Sequence, residues 1–221
     1  MPRLARLIRP LILSLLAVSA LAQAAEPARP RIGLVLGGGG ARGAAHVGIL
    51  EVLQKNRIPV DCVAGTSMGA LIAGAWAAGM SPAAMREALS AVDWSEIFID
   101  NPEYAELSQR NKLMARHYLP GSESGVMTDG VKYQTGVVTG QKIKLFFNQL
   151  VRADLGEPEL SKLALPVAII ATDIANGQRV VFRSGPLTQA MRASMSVPGL
   201  MAPAEVGGRK LVDGGLVDNV P

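Results

Sequence analysis

The chain twice repeats a strand-like run, a glycine-rich break and a helix-like run, and this alternation constrains the fold more than any other feature. Arg31-Ile32-Gly33-Leu34-Val35-Leu36 reads as a buried strand, Gly37-Gly38-Gly39-Gly40-Ala41-Arg42-Gly43 breaks it, and Ala44 to Asn56 follows with Val47, Leu50 and Leu53 on one helical face. The apolar run Val60-Asp61-Cys62-Val63-Ala64, then Gly65-Thr66-Ser67-Met68-Gly69, then the helix-like Ala70 to Ala78 repeat the order. Strands joined by helices pair in parallel, because each helix carries the chain back before the next strand begins. The expected class is therefore α/β, and 221 residues suit one core.

Further along, Ser81-Pro82 reads as an N-cap with proline at N1, starting a helix that runs to about Val92. From Asp93 to about Gly140 the periodicity is poor and turn residues are frequent, which predicts irregular structure near the site, serving as a cover. Lys142 to Val151 forms an amphipathic helix whose Ile143, Phe146, Phe147 and Leu150 suit core packing better than lipid contact. Leu165 to Ala171 is a strongly apolar strand, and Asn176-Gly177 predicts a type I′ hairpin to Gln178–Phe182. Leu187 to Met195 is helical, Val197-Pro198-Gly199 ends it, and Ala204-Glu205-Val206 pairs with Arg209–Val212 across Gly207-Gly208.

The N-terminus predicts an exported protein. Arg3, Arg6 and Arg9 precede an apolar stretch from Leu11 to Ala22 and A-x-A sites ending at Ala22 and Ala24, the layout of a secretory signal peptide. The stretch falls short of the roughly 20 residues a membrane span needs. The expected organisation is a signal peptide over 1–25, a linker over 26–30 and one domain over 31–221. The formal charge of +4 includes those three arginines, so the remainder is nearly balanced and a nucleic-acid partner is not expected. With Cys62 as the only cysteine, an internal disulfide is excluded, and a buried apolar role is expected for it.

Both glycine breaks carry chemistry. Gly65-Thr66-Ser67-Met68-Gly69 is a G-x-S-x-G between strand and helix, the pattern that exposes a serine hydroxyl on a strained turn, although a plain βα turn also uses glycine. Gly38-x-Gly40-x-x-Gly43 has dinucleotide-binding spacing, but no acid ends the second strand to hold a ribose, and no Gly-Lys-Ser/Thr follows. Successive backbone N–H groups at such a turn also suit the alkoxide of a tetrahedral intermediate. Arg42 there could anchor the loop, attract an anionic head group or form a surface ion pair. Of the two histidines, His46 and His117, neither has the position of a triad base. The base is then a carboxylate or a lysine, and Asp213, leaving an apolar strand before Gly214-Gly215, is the best placed candidate.

With Gly38-Gly39-Gly40-Ala41-Arg42-Gly43, Gly65-Thr66-Ser67-Met68-Gly69 and Asp213-Gly214-Gly215 in that order, the chain closely resembles the patatin-like phospholipase family from about Arg31 onward. The stretch Ala193-Ser194-Met195-Ser196-Val197-Pro198-Gly199 resembles the segment before the family's aspartate. The resemblance implies a three-layer α/β/α fold with a mainly parallel central sheet. It further implies a Ser67–Asp213 dyad, an oxyanion hole at Gly38, Gly39 and Gly40, no metal and no cofactor. A lipid or phospholipid substrate and a membrane surface are the implied partners, through lipase or phospholipase A chemistry. Family members normally continue past the position of Pro221, so an incomplete domain is expected. The leader also resembles that of secreted members with a downstream outer-membrane β-barrel, so the expected location is periplasmic, outer-membrane-associated or secreted. A non-catalytic lipid-binding domain and a nucleotide-binding oxidoreductase are the competing readings.

Overall fold

The computed structural model describes residues 29–97, 104–117, 124–128, 130–133, 136–138, 140–152 and 156–221. The expected signal peptide lies outside the described residues, as does most of the expected linker. The body considered below is Ile32–Pro221.

The two βα repeats form as expected. Strand β1 (Gly33–Leu36) leads through a 3-10 turn (Gly40–Ala44) to helix α1 (Ala45–Lys55), and β2 (Cys62–Thr66) leads to α2 (Met68–Ala77). Helix α3 (Pro82–Ala91) starts where proposed: the Ser81 hydroxyl accepts from the Ala84 N–H at 3.2 Å, and Pro82, lacking an N–H, costs nothing at N1. The segment expected to be irregular contains short elements instead: α4 (Trp94–Ile97), α5 (Gln109–His117), β3 (Ser124–Met127), β4 (Gly130–Tyr133) and β5 (Gly136–Val138). Helix α5 buries none of its residues, so it leaves little apolar periodicity to read.

Helix α6 (Gln141–Leu150) buries Ile143, Phe146, Phe147 and Leu150, the core face expected of it. Strands β6 (Val167–Asp173) and β7 (Arg179–Phe182) form a hairpin, but the Asp173 N–H donates to Gln178 O and leaves a four-residue loop, not a two-residue type I′ turn. Helix α7 (Leu187–Ser194), β8 (Gly199–Met201), β9 (Ala204–Val206) and β10 (Arg209–Asp213) complete the order. The two-residue turn occurs at Gly207-Gly208, where φ is 58° and 75°.

The main sheet is mixed. Strands β1, β2 and β6 pair in parallel, whereas β7 and β10 run antiparallel to β6, and β9 antiparallel to β10. Within this sheet parallel pairing is confined to the part built from βα units, because the later connections include two hairpins; β5 and β8 pair in parallel apart from it. Strand β6 holds the sheet together, and its pairing is unusual. Ile169 and Ile170 pair with both β2 and β7, while Ala171 and Thr172 pair with both β10 and β7. A strand has two edges, so β2 and β10 share one edge of β6 and approach each other end to end.

Helices α1, α2, α3, α6 and α7 contribute to one core with Leu36, Val63 and Ile169 of the sheet. Helix α2 is apolar all round and buries nine of its ten residues, as a central helix must. The α/β class is as expected, and Ala193 of α7 packs with Ala171, Ala204 and Leu211 in a second, smaller cluster. Gly33, Val35, Cys62, Ala64 and Ala168 line an open groove of about 620 Å³ at the N-terminal end of the parallel strands. Cys62 is exposed there, not buried, because strand alternation turns its neighbour Val63 to the core instead. Phe147, 1% exposed in the centre of that core, gives a direct check on it. Phe147→Ala is expected to lower unfolding stability by about 3–5 kcal/mol in urea titration.

Candidate active site

Ser67 sits in the turn between β2 and α2 with φ 54° and ψ −124°, a conformation that a β-carbon disfavours. The flanking glycines are needed for close approach. A Cβ on Gly69 would lie 2.0 Å from the Leu36 carbonyl oxygen, and one on Gly65 would lie 2.4 Å from that of Gly69. The turn is therefore clamped between β1 and the first turn of α2, with Thr66 and Met68 buried on either side of Ser67. Strain of this kind persists only where surrounding packing over-determines it.

The register on β6 brings the acid to the serine. Thr66 pairs with Ile170, and Asp213 pairs with Ala171, the next residue along the same edge. Ser67 Oγ donates to Asp213 Oδ2 at 2.6 Å, across 146 positions of sequence. The other carboxylate oxygen, Oδ1, accepts from the Gly215 N–H at 2.7 Å. Only 8% of Ser67 and 7% of Asp213 is exposed, which leaves a narrow approach from solvent. Burial pushes the Asp213 carboxyl above its usual range, and the hydrogen bonds from Ser67 and Gly215 oppose that rise. A hydroxyl bonded to a carboxylate of raised basicity has the arrangement of a nucleophile and its general base.

The glycine loop lies against this pair. A Cβ on Gly38 would stand 3.0 Å from the Ser67 Cβ, and Met68 packs against Gly43. The three glycines expected to hold an oxyanion are not equivalent. The Gly38 N–H donates to the Asn219 carbonyl at 3.1 Å, and the Asn219 side-chain amide donates back to Gly38 O at 3.4 Å. The Gly39 and Gly40 N–H groups have no hydrogen-bond partner among the described residues, nor does that of Ala41. Gly40, at φ 53°, turns the chain into the 3-10 helix. Arg42 is exposed and forms no ion pair among the described residues.

Neither histidine hydrogen-bonds Ser67. His46 Nε2 donates to the Gly37 carbonyl at 2.9 Å and so braces the glycine loop, while His117 is exposed on α5. Asp61, the acid nearest the second glycine break, accepts from the Ile32 N–H at 2.7 Å, at the opposite end of β2 from the loop. A ribose carboxylate is thus missing where a dinucleotide would need it. No group of three or more potential metal ligands occurs among the described residues.

Strained serine, adjacent carboxylate and glycine loop are the combination for which relatives are informative. Residues 34–221 match the patatin-like phospholipase family. The chain belongs to that family. An uncharacterised NTE family protein of Mycobacterium tuberculosis is 34% identical over 192 residues, covering 87% of this chain and 44% of that protein. Neuropathy target esterase of Drosophila melanogaster is 33% identical over 192 residues, 86% of this chain and 12% of that one. The chain spans less than half the length of either relative. Among solved structures, VipD from Legionella pneumophila aligns with a TM-score of 0.56 at 18% identity, over 87% of this chain and 47% of that one. ExoU of the Pseudomonas aeruginosa type III secretion system, crystallised with SpcU, gives 0.50 at 19% identity over 76% and 39%. At those identities the likeness is one of fold.

In this patatin-like domain the residues that sequence reasoning overlooked are those that hold the pair by their backbones. The Ser194 hydroxyl accepts from the Ser67 N–H at 2.8 Å, and the Ser196 carbonyl accepts from the Asp213 N–H at 2.9 Å. Thr172 Oγ1 donates to Asp213 O at 2.8 Å, and Thr66 Oγ1 to Asp218 O at 2.9 Å. The Ala193–Gly199 stretch was visible as a motif, but nothing in it indicates which partner each serine meets.

The raised carboxyl pKa has two consequences of fixed sign. If Asp213 acts as a base, activity falls as acid protonates it, and the acid limb of a pH–rate profile lies above the ~3.9 of an ordinary aspartate. In the folded state Asp213 binds its proton more tightly than in the unfolded chain, so its stabilising contribution is present below the unfolded pKa and lost as pH rises through the folded one. Asp213→Asn is therefore expected to melt at or above the wild-type temperature at pH 7, with the difference closing towards acid pH, as measured by calorimetry.

Proposed function

We propose that this protein is a serine acyl hydrolase of the lipase or phospholipase A type, cleaving fatty-acyl esters of lipids through an acyl-enzyme. The observation that carries this reading is the 2.6 Å hydrogen bond from Ser67 Oγ to Asp213 Oδ2 at a serine held with positive φ. Membership of the patatin-like phospholipase family supports a lipid ester hydrolase.

In the first half-reaction Asp213 takes the Ser67 proton as Oγ bonds to the ester carbonyl carbon, and the carbonyl π electrons move onto oxygen. The N–H groups of Gly39 and Gly40 hold that oxyanion, with Ala41 a third donor in the same turn, while Gly38 shapes the loop through Asn219. Collapse breaks the carbon–oxygen bond to the alcohol, which leaves with the proton from Asp213. In the second half-reaction Asp213 takes a proton from water as the water oxygen bonds to the acyl carbon. The acyl–Oγ bond then breaks, Asp213 returns the proton to Ser67 Oγ, and the fatty acid departs. No histidine is needed, because the raised basicity of a buried carboxylate narrows the gap to the hydroxyl.

A fluorophosphonate probe tests the reading directly. Wild type is expected to label, Ser67→Ala to lose labelling entirely, and Asp213→Asn to label at least about 100-fold more slowly, the lower range for loss of a general base. Labelling of Ser67→Ala at the wild-type rate would remove the hydrolase reading.

A lipid substrate also requires access to a surface, and α5 supplies chemistry suited to one. It carries Arg110, Lys112 and Arg116 with no acid, and Leu113 and Met114 are about half exposed. Contact of this helix with an anionic bilayer follows from cation attraction and shallow apolar insertion. Removing two charges in Arg110→Gln/Arg116→Gln is expected to weaken sedimentation with phosphatidylserine vesicles by roughly 30-fold, at about 1 kcal/mol per cation. Hydrolysis of a soluble short-chain ester should stay unchanged. Export of the protein is proposed on the basic and apolar N-terminus alone, and N-terminal sequencing of secreted material would locate cleavage before Glu26.

A further inference from the structure

The end of α7 touches both members of the Ser67–Asp213 pair within three consecutive residues. Ser194, in the last turn, accepts from the Ser67 N–H through its hydroxyl, and Ser196 accepts from the Asp213 N–H through its carbonyl. Both serines are completely buried. The turn between them is rigid: the Arg192 guanidinium reaches Ser196 Oγ and donates to Ala202 O at 2.9 Å, and Ser196 Oγ donates to Arg192 O at 2.7 Å. The spacing between nucleophile and acid is therefore referred to one short piece of backbone on a packed helix, as well as to the edge of β6.

The Ser194 bond differs in kind from the others. It is made by a side chain to the backbone of the strained residue itself, and Ser67 as the residue capping α2 has no intrahelical acceptor for its N–H. A buried N–H left without a partner carries a desolvation penalty, so the hydroxyl both satisfies this amide and fixes its direction. The same bond has a chemical consequence. An N–H committed to Ser194 cannot turn towards the oxyanion, which leaves that charge to the amides of the glycine loop.

We propose that Ser194 is a positioning residue: its hydroxyl holds the Ser67 backbone in the positive-φ conformation that keeps Oγ within bonding distance of Asp213. It touches neither substrate nor reacting atoms and acts only through Ser67. The proposal rests on the reading of Ser67 as the nucleophile. Without the hydroxyl, the turn relaxes towards ordinary φ and Oγ moves off the line to Asp213, slowing acylation without altering the cleft. Thr188, earlier on the same helix, supplies the control, because Thr188→Val removes an equally buried hydroxyl that donates to Glu157 and does not touch the pair.

The test compares Ser194→Ala, Ser194→Thr and Thr188→Val in the full chain, by ester hydrolysis, melting temperature and hydrogen exchange of the Ser67 amide. Ser194→Ala is expected to lower kcat by about 10- to 100-fold, the scale of an ångström-sized misplacement, with KM within about twofold. It should also lose protection of the Ser67 amide, and Ser194→Thr, which keeps the hydroxyl, should recover both. Thr188→Val should lose melting temperature while keeping protection of that amide and most of kcat. Equal protection of the Ser67 amide in wild type and Ser194→Ala overturns the proposal, as does a kcat loss that tracks melting temperature alike in Ser194→Ala and Thr188→Val. The exchange measurement needs no activity. Loss of protection in Ser194→Ala alongside undiminished hydrolysis by Ser67→Ala would instead remove the nucleophile, and with it the proposed catalytic role of Ser194.

Discussion

The site depends on one strand edge used by two partners. Strand β2 runs up the edge of β6 as far as Ile170, and β10 comes down the same edge as far as Ala171. Two adjacent residues of β6 thus receive the ends of strands that lie far apart in sequence. A parallel strand ending in a tight turn and an antiparallel strand ending at the same level place Ser67 and Asp213 face to face. The alternation of buried side chains fixes this register, because a slip by one residue would turn the inward side chains of the strand to its other face.

Backbone crowding at the turn and burial at the acid then act together. Gly65 and Gly69 let β1, the turn and α2 approach closely, and Ser67 is held in a conformation it would leave if isolated. Asp213 is buried enough for its charge to be disfavoured, and the hydrogen bonds from Ser67 and Gly215 limit that cost. Both members of the pair are held away from their relaxed states, one in conformation and the other in ionisation. The end of α7 restrains the backbone of the pair, through Ser194 to Ser67 and Ser196 to Asp213, while Asp218 and Asn219 bond Thr66 and Gly38 beside it.

Much of the local structure was legible. The helices α1, α3, α6 and α7 follow from apolar spacing and from the Ser81-Pro82 start, and the elbow from its glycines. Both expected hairpins form, but Asn176-Gly177 lies in a four-residue loop and the two-residue turn is the one at Gly207-Gly208, because turn type depends on strand register as well as on residue preference. Cys62 was assigned to the core by composition, yet the pleat puts Val63 there. The elements within 93–140 escaped reading because α5 buries nothing and the strands among them are only three or four residues long.

Local chemistry alone determined the α/β class, the two βα repeats, the serine turn and the scarcity of histidine that directed attention to Asp213, since each depends on residues close together in the chain. The tertiary structure decided what depends on long-range register. It set the 2.6 Å contact between residues 146 positions apart, the bond that occupies Gly38 while Gly39 and Gly40 stay open, and the bonds from Ser194 and Ser196 to the pair. No local pattern encodes which carbonyl or hydroxyl an amide will meet once a sheet has closed, because that partner is chosen by packing between elements that the sequence keeps far apart.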